Sequence, residues 1–163
     1  MAQLVNVIAP IFTNEKGLFL QTIYYPLQLF AQNVKGTALN VFVDSPTYKN
    51  TPPGPPAIQR PAQQNEIPLL DVSAAINGNE IVICVVNRDK DKAITTDIIS
   101  QEGNFTGNFE VYEVNGPDIK SENDFNKTNV KTTKKADIKA SGQKITYSFA
   151  PHSFTLIKGR INR

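Results

Sequence analysis

From residue 69 onward the sequence breaks into short β-type runs, and no helical stretch separates them. The runs cover 69–77, 80–87, 92–100, 108–114, 144–149 and 153–158. Between them stand turn-forming clusters: Asn77-Gly78-Asn79, Arg88-Asp89-Lys90-Asp91, Glu102-Gly103, Asn115-Gly116-Pro117 and Ser141-Gly142. Strands at hairpin spacing pair with their neighbours and hide their apolar faces by stacking two antiparallel sheets. The expected class is therefore mainly β, an antiparallel β-sandwich of jelly-roll or Greek-key type. A chain of 163 residues is long enough to give such a sandwich a sizeable core. The stretch 116–137 is polar and poorly periodic, and reads as a long loop with one irregular strand.

The front of the chain is different. Met1 to Phe12 reads MAQLVNVIAPIF, an apolar element with hardly any polar lead-in. A free domain seldom opens on exposed apolar surface, so the expectation is a piece of something larger. Thr13 to Gly17 reads as a turn. Thr22 is placed to cap a helix over 22–34 whose apolar residues Ile23, Leu27, Phe30, Ala31 and Val34 fall at helical spacing. Pro26 lies near its start and Lys35-Gly36 supplies the stop. Thr37 to Val43 has strand character. Beyond it, Pro52, Pro53, Pro55, Pro56 and Pro61 suit an extended connector rather than a central strand. Two parts result, a strand-helix unit over 1–35 and a β-sandwich over 36–163. A lone strand and helix cannot cover both faces of the strand, so the first part needs a further partner.

Several function classes recede on composition. A net charge of +2 is too small to indicate a nucleic-acid or anionic-membrane partner. The lysines Lys131, Lys134 and Lys135 suit a solvated loop or edge strand. No apolar stretch reaches the ~20 residues needed to cross a bilayer. Cys84, the single cysteine, sits inside an apolar run and reads as a small buried hydrophobe. His152 is the only histidine, and no nucleophile-elbow motif accompanies it. Asp124, Asn126 and Thr128 alternate oxygens in a faintly calcium-like way but lack the turn glycine and distal glutamate of a calcium loop. No metal or cofactor is expected.

Sugar hydrolysis calls for two carboxyl groups ~5–9 Å apart. The chain has fifteen Asp and Glu, but Glu110 and Glu113 fall on opposite faces of a strand, Asp89 and Asp91 flank a hairpin tip, and Asp118, Glu122 and Asp124 lie in the long loop. Sugar binding on a sandwich usually stacks rings on aromatics. With no Trp, the candidates are Tyr48, Tyr112 and Tyr147, each also suited to packing.

The opening segment adds a resemblance. AQLVNVIAPIF, then QTIYYPLQLFAQNVKGTAL and VFVDSPTY, together with VVNRD at 85–89, EVNGP at 113–117 and the terminal PHSFTLI, resembles the end of family-51 glycoside hydrolases, the α-L-arabinofuranosidases. The resemblance implies that residues 1–11 end the eighth strand of a catalytic (β/α)8 barrel, that 22–34 form its eighth helix, and that the rest is the sandwich packed against the barrel. It implies that Gln3 contacts arabinose within the intact enzyme. It also implies an enzyme that releases terminal α-L-arabinofuranosyl residues from arabinan- or arabinoxylan-type polysaccharides by a retaining mechanism. Its acid/base and nucleophilic glutamates match no position of this sequence. The partners implied are the barrel, the polysaccharide through the enzyme, and further copies in a homo-oligomer. Two other classes stay open at this point: a freestanding carbohydrate-binding sandwich and an immunoglobulin-like structural module. The natural compartment is not legible.

Overall fold

The computed structural model describes residues 4–6, 8–49 and 66–163. Gln3 and the five prolines from Pro52 to Pro61 lie outside the described residues. In chain order the elements are β1 (Ile11–Asn14), β2 (Gly17–Leu20), α1 (Tyr24–Asn33), β3 (Thr37–Ala38), β4 (Thr47–Lys49), β5 (Glu66–Pro68), β6 (Leu70–Asn77), β7 (Glu80–Asn87), β8 (Ile94–Ile99), β9 (Asn104–Asn115), β10 (Lys131–Lys134), β11 (Ile138–Gly142), β12 (Lys144–Phe149) and β13 (Phe154–Asn162).

Every ladder between these strands is antiparallel. The large sheet runs β10-β9-β13-β7-β6-β3. Strand β9 is long enough for its outer edge to hold two short partners, with β10 opposite 112–115 and β11 opposite 105–109. The β6–β7 turn places Gly78 at φ 59°, the left-handed first position where a two-residue hairpin of the II′ type takes glycine. A second, two-stranded sheet pairs β8 with β12. A hairpin, β1–β2, and a two-stranded ladder, β4–β5, stand apart from both sheets.

The period-2 alternation of the strands builds a core on each face of the large sheet. Ile81, Ile83 and Val85 of β7 point toward the small sheet, where they join Phe105, Phe109, Val111, Ile145, Phe149 and Ile157. Val82 and Cys84 point the other way, into a cluster with Val114, Val130, Leu156 and Leu29 of α1. This explains why the run IVICVV is apolar without alternation: both of its faces are covered.

The predicted strands 80–87 and 144–149 coincide with β7 and β12, and 69–77 and 92–100 shift by one or two residues at their ends. Three expectations need correction. Thr22 does not cap the helix; Ile23 occupies the cap position, in helical conformation, without a side-chain bond. The strand over 37–43 pairs only at Thr37 and Ala38, because the last bond to β6 is the Leu39 N–H to the Ala74 carbonyl at 2.9 Å. Strand β11 lies where no strand was expected and takes in Ser141-Gly142, read as a turn, since its small residues and Gly142 hide its strand character. The turn read at Thr13 to Gly17 is tighter than expected, with Asn14 and Gly17 already paired.

Candidate functional site

The carboxylates come first, because sugar chemistry would need two of them face to face. Glu110 and Glu113 do lie on opposite faces of β9. Glu110 pairs with Lys134 at 3.3 Å on the outer side, whereas Glu113 is buried on the inner side and held by Lys135 at 3.2 Å. Asp89 accepts the backbone N–H groups of Asp91 and Lys92, bonds that hold its carboxyl below the usual 3.8. Asp91 sits 3.0 Å from Lys90. In the long loop Asp118 accepts the Lys120 N–H at 2.8 Å. Asp124 accepts the N–H groups of Asn126 and Lys127, and the Lys127 ammonium lies 3.5 Å from Asp124 and 3.7 Å from Glu122. These oxygens shape turns and ion pairs. Among the described residues no group of three His, Cys, Asp or Glu could hold a metal ion.

The remaining candidates are structural by their contacts. Burial pushes the Cys84 thiol up to about 11, which keeps it protonated and unreactive at neutral pH. His152 adopts φ 44° in the turn between β12 and β13, and its backbone N–H donates to the Asp89 carbonyl at 2.8 Å. That turn is fixed by Asn87, fully buried, whose side-chain amide donates to the carbonyls of Lys92, Phe149 and Ala150. The VVNRD and PHSF segments are thus two sides of one corner. Tyr147 packs on Phe149 with ring centroids 5.0 Å apart, and burial foremost raises its hydroxyl pKa. Tyr112 packs into the outer cluster beneath the Lys134 ammonium. Tyr48 alone of the three is exposed.

What stands out on the surface is apolar. Helix α1 seats Leu29, with 6% of its surface exposed, and the half-buried Tyr25 on the outer face of the large sheet. Ile23, Leu27 and Phe30 are 55%, 44% and 42% exposed. At 100° per residue these three form one stripe, on the side opposite Leu29. The stripe expected from spacing as the packing face is therefore the one turned to solvent, apart from Val34, which lies beyond the helix end and reaches the cluster. Leu29 and Tyr25 were missed because the helix is apolar on two sides. The signal was present, since TIYYPLQLF is nearly continuous in apolar residues, and a helix apolar all round is one destined for burial on all sides. Leu4, Val5, Ile8 and Leu18, in the same front segment, are exposed as well.

The front segment is also tied to the long loop. Asn123, buried, donates from its amide to the Leu20 carbonyl at 2.9 Å and the Val130 carbonyl at 2.8 Å, and accepts the Val130 N–H at 2.9 Å. Phe19 meets Phe125 edge-on at 4.8 Å. The arrangement commits the carboxylates named above to turns and ion pairs. It offers a firmly held helix with an apolar stripe facing outward.

Comparison with known proteins fits this geometry. Residues 1–153 match the family described as the alpha-L-arabinofuranosidase C-terminal domain. A probable alpha-L-arabinofuranosidase C from Aspergillus clavatus is 34% identical over 97% of this chain and 29% of its own length. An intracellular exo-alpha-(1->5)-L-arabinofuranosidase from Bacillus subtilis is 29% identical over 97% of this chain and 30% of its own length. The crystal structure of the Thermotoga maritima alpha-L-arabinofuranosidase in complex with arabinose superposes with a TM-score of 0.81 at 25% identity, over 98% of this chain and 33% of that one. The chain thus spans about a third of the proteins it matches.

Proposed function

Since the chain belongs to the family of α-L-arabinofuranosidase C-terminal domains, we propose that it serves an arabinose-releasing enzyme as a non-catalytic sandwich, docked to a (β/α)8 barrel that carries the chemistry. The observation that carries this is the outward stripe Ile23, Leu27 and Phe30 on a helix whose other side is already seated. Apolar surface of this kind is stable in water only when something covers it. On this proposal residues 1–35 complete the barrel and 36–163 form the supporting domain. Gln3 reaches the arabinose in the assembled enzyme, where a side-chain amide can both donate to and accept from sugar hydroxyls.

The substrate class is terminal α-L-arabinofuranosyl groups of arabinan- or arabinoxylan-type polysaccharides. It is supported by the activity for which the Bacillus relative is named and by the arabinose in the Thermotoga complex. The retaining double displacement needs a nucleophilic carboxylate and an acid/base carboxyl, and both are assigned to the barrel. Copies of the enzyme associate through surface other than this stripe, which the barrel covers.

Two measurements test the proposal. The purified 163-residue chain should release no chromophore from an aryl α-L-arabinofuranoside, and measurable turnover overturns it. Titration with arabinan and arabinoxylan should give weak binding or none. Tight binding would instead identify a freestanding carbohydrate-binding module.

A further inference from the structure

A pocket of about 320 Å³ opens between the β1–β2 hairpin, the first turn of α1 and the tight turn at 124–127. One side is aromatic, formed by Phe19, Tyr25 and Phe125. Phe19 and Tyr25 are half-buried, and Phe125 is 43% exposed. The other side is polar and includes Asn126 and Thr128. Asn126 enters the turn through its backbone N–H and Thr128 through a β-bridge to Asn123, which leaves a side-chain amide and a hydroxyl for a ligand. Lys127 is matched by Asp124 at 3.5 Å and Glu122 at 3.7 Å, so the pocket presents no unmatched cation to an anionic ligand. Its walls are set in advance: the Asp124 N–H donates to the Lys127 carbonyl at 3.0 Å, and Asn123 ties the turn to the Leu20 carbonyl of the hairpin. Preformed walls reduce the ordering cost of binding.

The helix places the pocket in the assembled enzyme. Tyr25 lies about half a turn round α1 from the stripe of Ile23, Leu27 and Phe30, so a barrel that covers the stripe leaves the pocket open. In a (β/α)8 barrel the segment that leads from a strand into its helix lies on the face holding the active site. On the reading proposed above, on which this inference rests, β1–β2 is such a segment. We propose that the pocket is an auxiliary site for one or two neutral pentose units of an arabinan or arabinoxylan chain, and that it holds the polymer against the catalytic face several units from the bond being cleaved. Aromatic rings pack on the C–H faces of a sugar, while an amide and a hydroxyl exchange hydrogen bonds with its hydroxyls. The volume is at the small end of ligand sites, which limits the occupant to a unit or two.

The test titrates the isotope-labelled 163-residue chain with linear arabinohexaose and, separately, linear xylohexaose, following the amide resonances. Those of Phe19, Phe125, Asn126 and Thr128 should shift together, with a Kd on the order of 1–10 mM. That is the weak binding allowed above. Shifts with either sugar support the site, and the tighter sugar names the polymer. Phe125→Leu keeps apolar bulk without a ring, and Asn126→Ala removes the amide at an exposed position. Each should weaken binding at least threefold with its far-ultraviolet spectrum unchanged. No shifts with either sugar at tens of millimolar, or equal shifts with maltohexaose, overturn the proposal. In the barrel-bearing enzyme the same variants should lower kcat/KM for the polymer named by the titration at least threefold relative to that for an aryl arabinofuranoside. An unchanged ratio overturns the site's place on the polymer's path. The titration involves no hydrolysis, so failure of the pocket is seen as absent shifts, whereas failure of the proposed function is seen as turnover by the isolated chain.

Discussion

Replacing Leu29 and Phe30 by alanine, one at a time, separates the two faces of α1. Leu29 is 6% exposed, against Val82, Cys84, Val114 and Leu156. Truncation to alanine removes about three methylene equivalents, at ~0.8 kcal/mol each, or ~2.4 kcal/mol of transfer free energy. A cavity contribution brings measured Leu→Ala costs to ~2–5 kcal/mol. Leu29 is seated from one side of the sheet only, where the helix can settle, so the expected loss is about 3 kcal/mol. For a chain of this size that lowers the melting temperature by roughly 6–12 °C. Phe30 is 42% exposed, and Phe30→Ala in the isolated chain should stay within about 0.5 kcal/mol of the parent. The assay is urea unfolding followed by far-ultraviolet circular dichroism, because the chain has no tryptophan to report by fluorescence. In the barrel-bearing enzyme the order should close up, with Phe30→Ala now costing 2 kcal/mol or more as its ring loses a covered site. A large loss for Phe30→Ala and none for Leu29→Ala in the isolated chain would refute the seating of the helix and, with it, the outward stripe.

Three further outcomes are expected. Gly159 lies at the irregularity in β13 where its pairing with β9 shifts register, and a Cβ added there would overlap the Phe109 ring. Gly159→Ala should cost about 1–3 kcal/mol by overpacking, and much of it should return in the double variant with Phe109→Leu; an unchanged urea midpoint for Gly159→Ala counts against this packing. Asn87→Ala should cost roughly 2–4 kcal/mol, since the carbonyls of Lys92, Phe149 and Ala150 lose their donor together, and thermal melting will show whether it does. Acid should weaken the fold through Asp89, Asp97 and Asp124, whose folded pKa values are lowered, chiefly by the Asp91 N–H, the Thr146 hydroxyl and the Asn126 N–H respectively. A depressed folded pKa means stability that is complete above the ordinary 3.8 and lost as pH falls through the folded value, so the loss belongs below about pH 4. Asp89→Asn keeps the acceptor without the charge and should flatten that part of the profile; an equally steep decline would show that Asp89 contributes nothing to it.

The sandwich was legible because its strands obey local rules. Strand β7 and strand β12 begin and end at residues whose turn chemistry is written next to them, Asn77-Gly78-Asn79 on one side and Ser141-Gly142 on the other. What was not legible depends on partners distant in sequence. The 37–43 run has the composition of a strand throughout, but pairing stops at Ala38, and after the Leu39–Ala74 bond the chain leaves β6 although β6 runs on to Leu70. Strand β11 looks like a loop until β9 supplies a ladder for it. The helix face was misassigned for a related reason: periodicity shows which residues share a side, whereas the side that meets the sheet is decided by Val82, Cys84 and Leu156, some 50 and more residues away. The chemistry was easier to read. The sequence placed Asp89 beside a hairpin tip and Asp118 and Asp124 in the long loop, and the structure adds that all three accept backbone N–H groups of their own turns.

The place of β13 has a consequence for how the molecule is made. Its two neighbours, β7 and β9, come from earlier in the chain, yet they do not pair with each other; β13 lies between them. A growing polypeptide therefore carries two half-sheets with bare inner edges until β13 has followed them, and the heart of the fold is closed by a strand made after both of its neighbours. Pairings this far apart in sequence form slowly. Open edges in waiting are the kind that capture one another between molecules. Yield in a cell should depend on how soon β13 follows β7 and β9 and how well the waiting halves are shielded, so slowing translation between Asn115 and Phe154 should lower it more than slowing translation before Leu70.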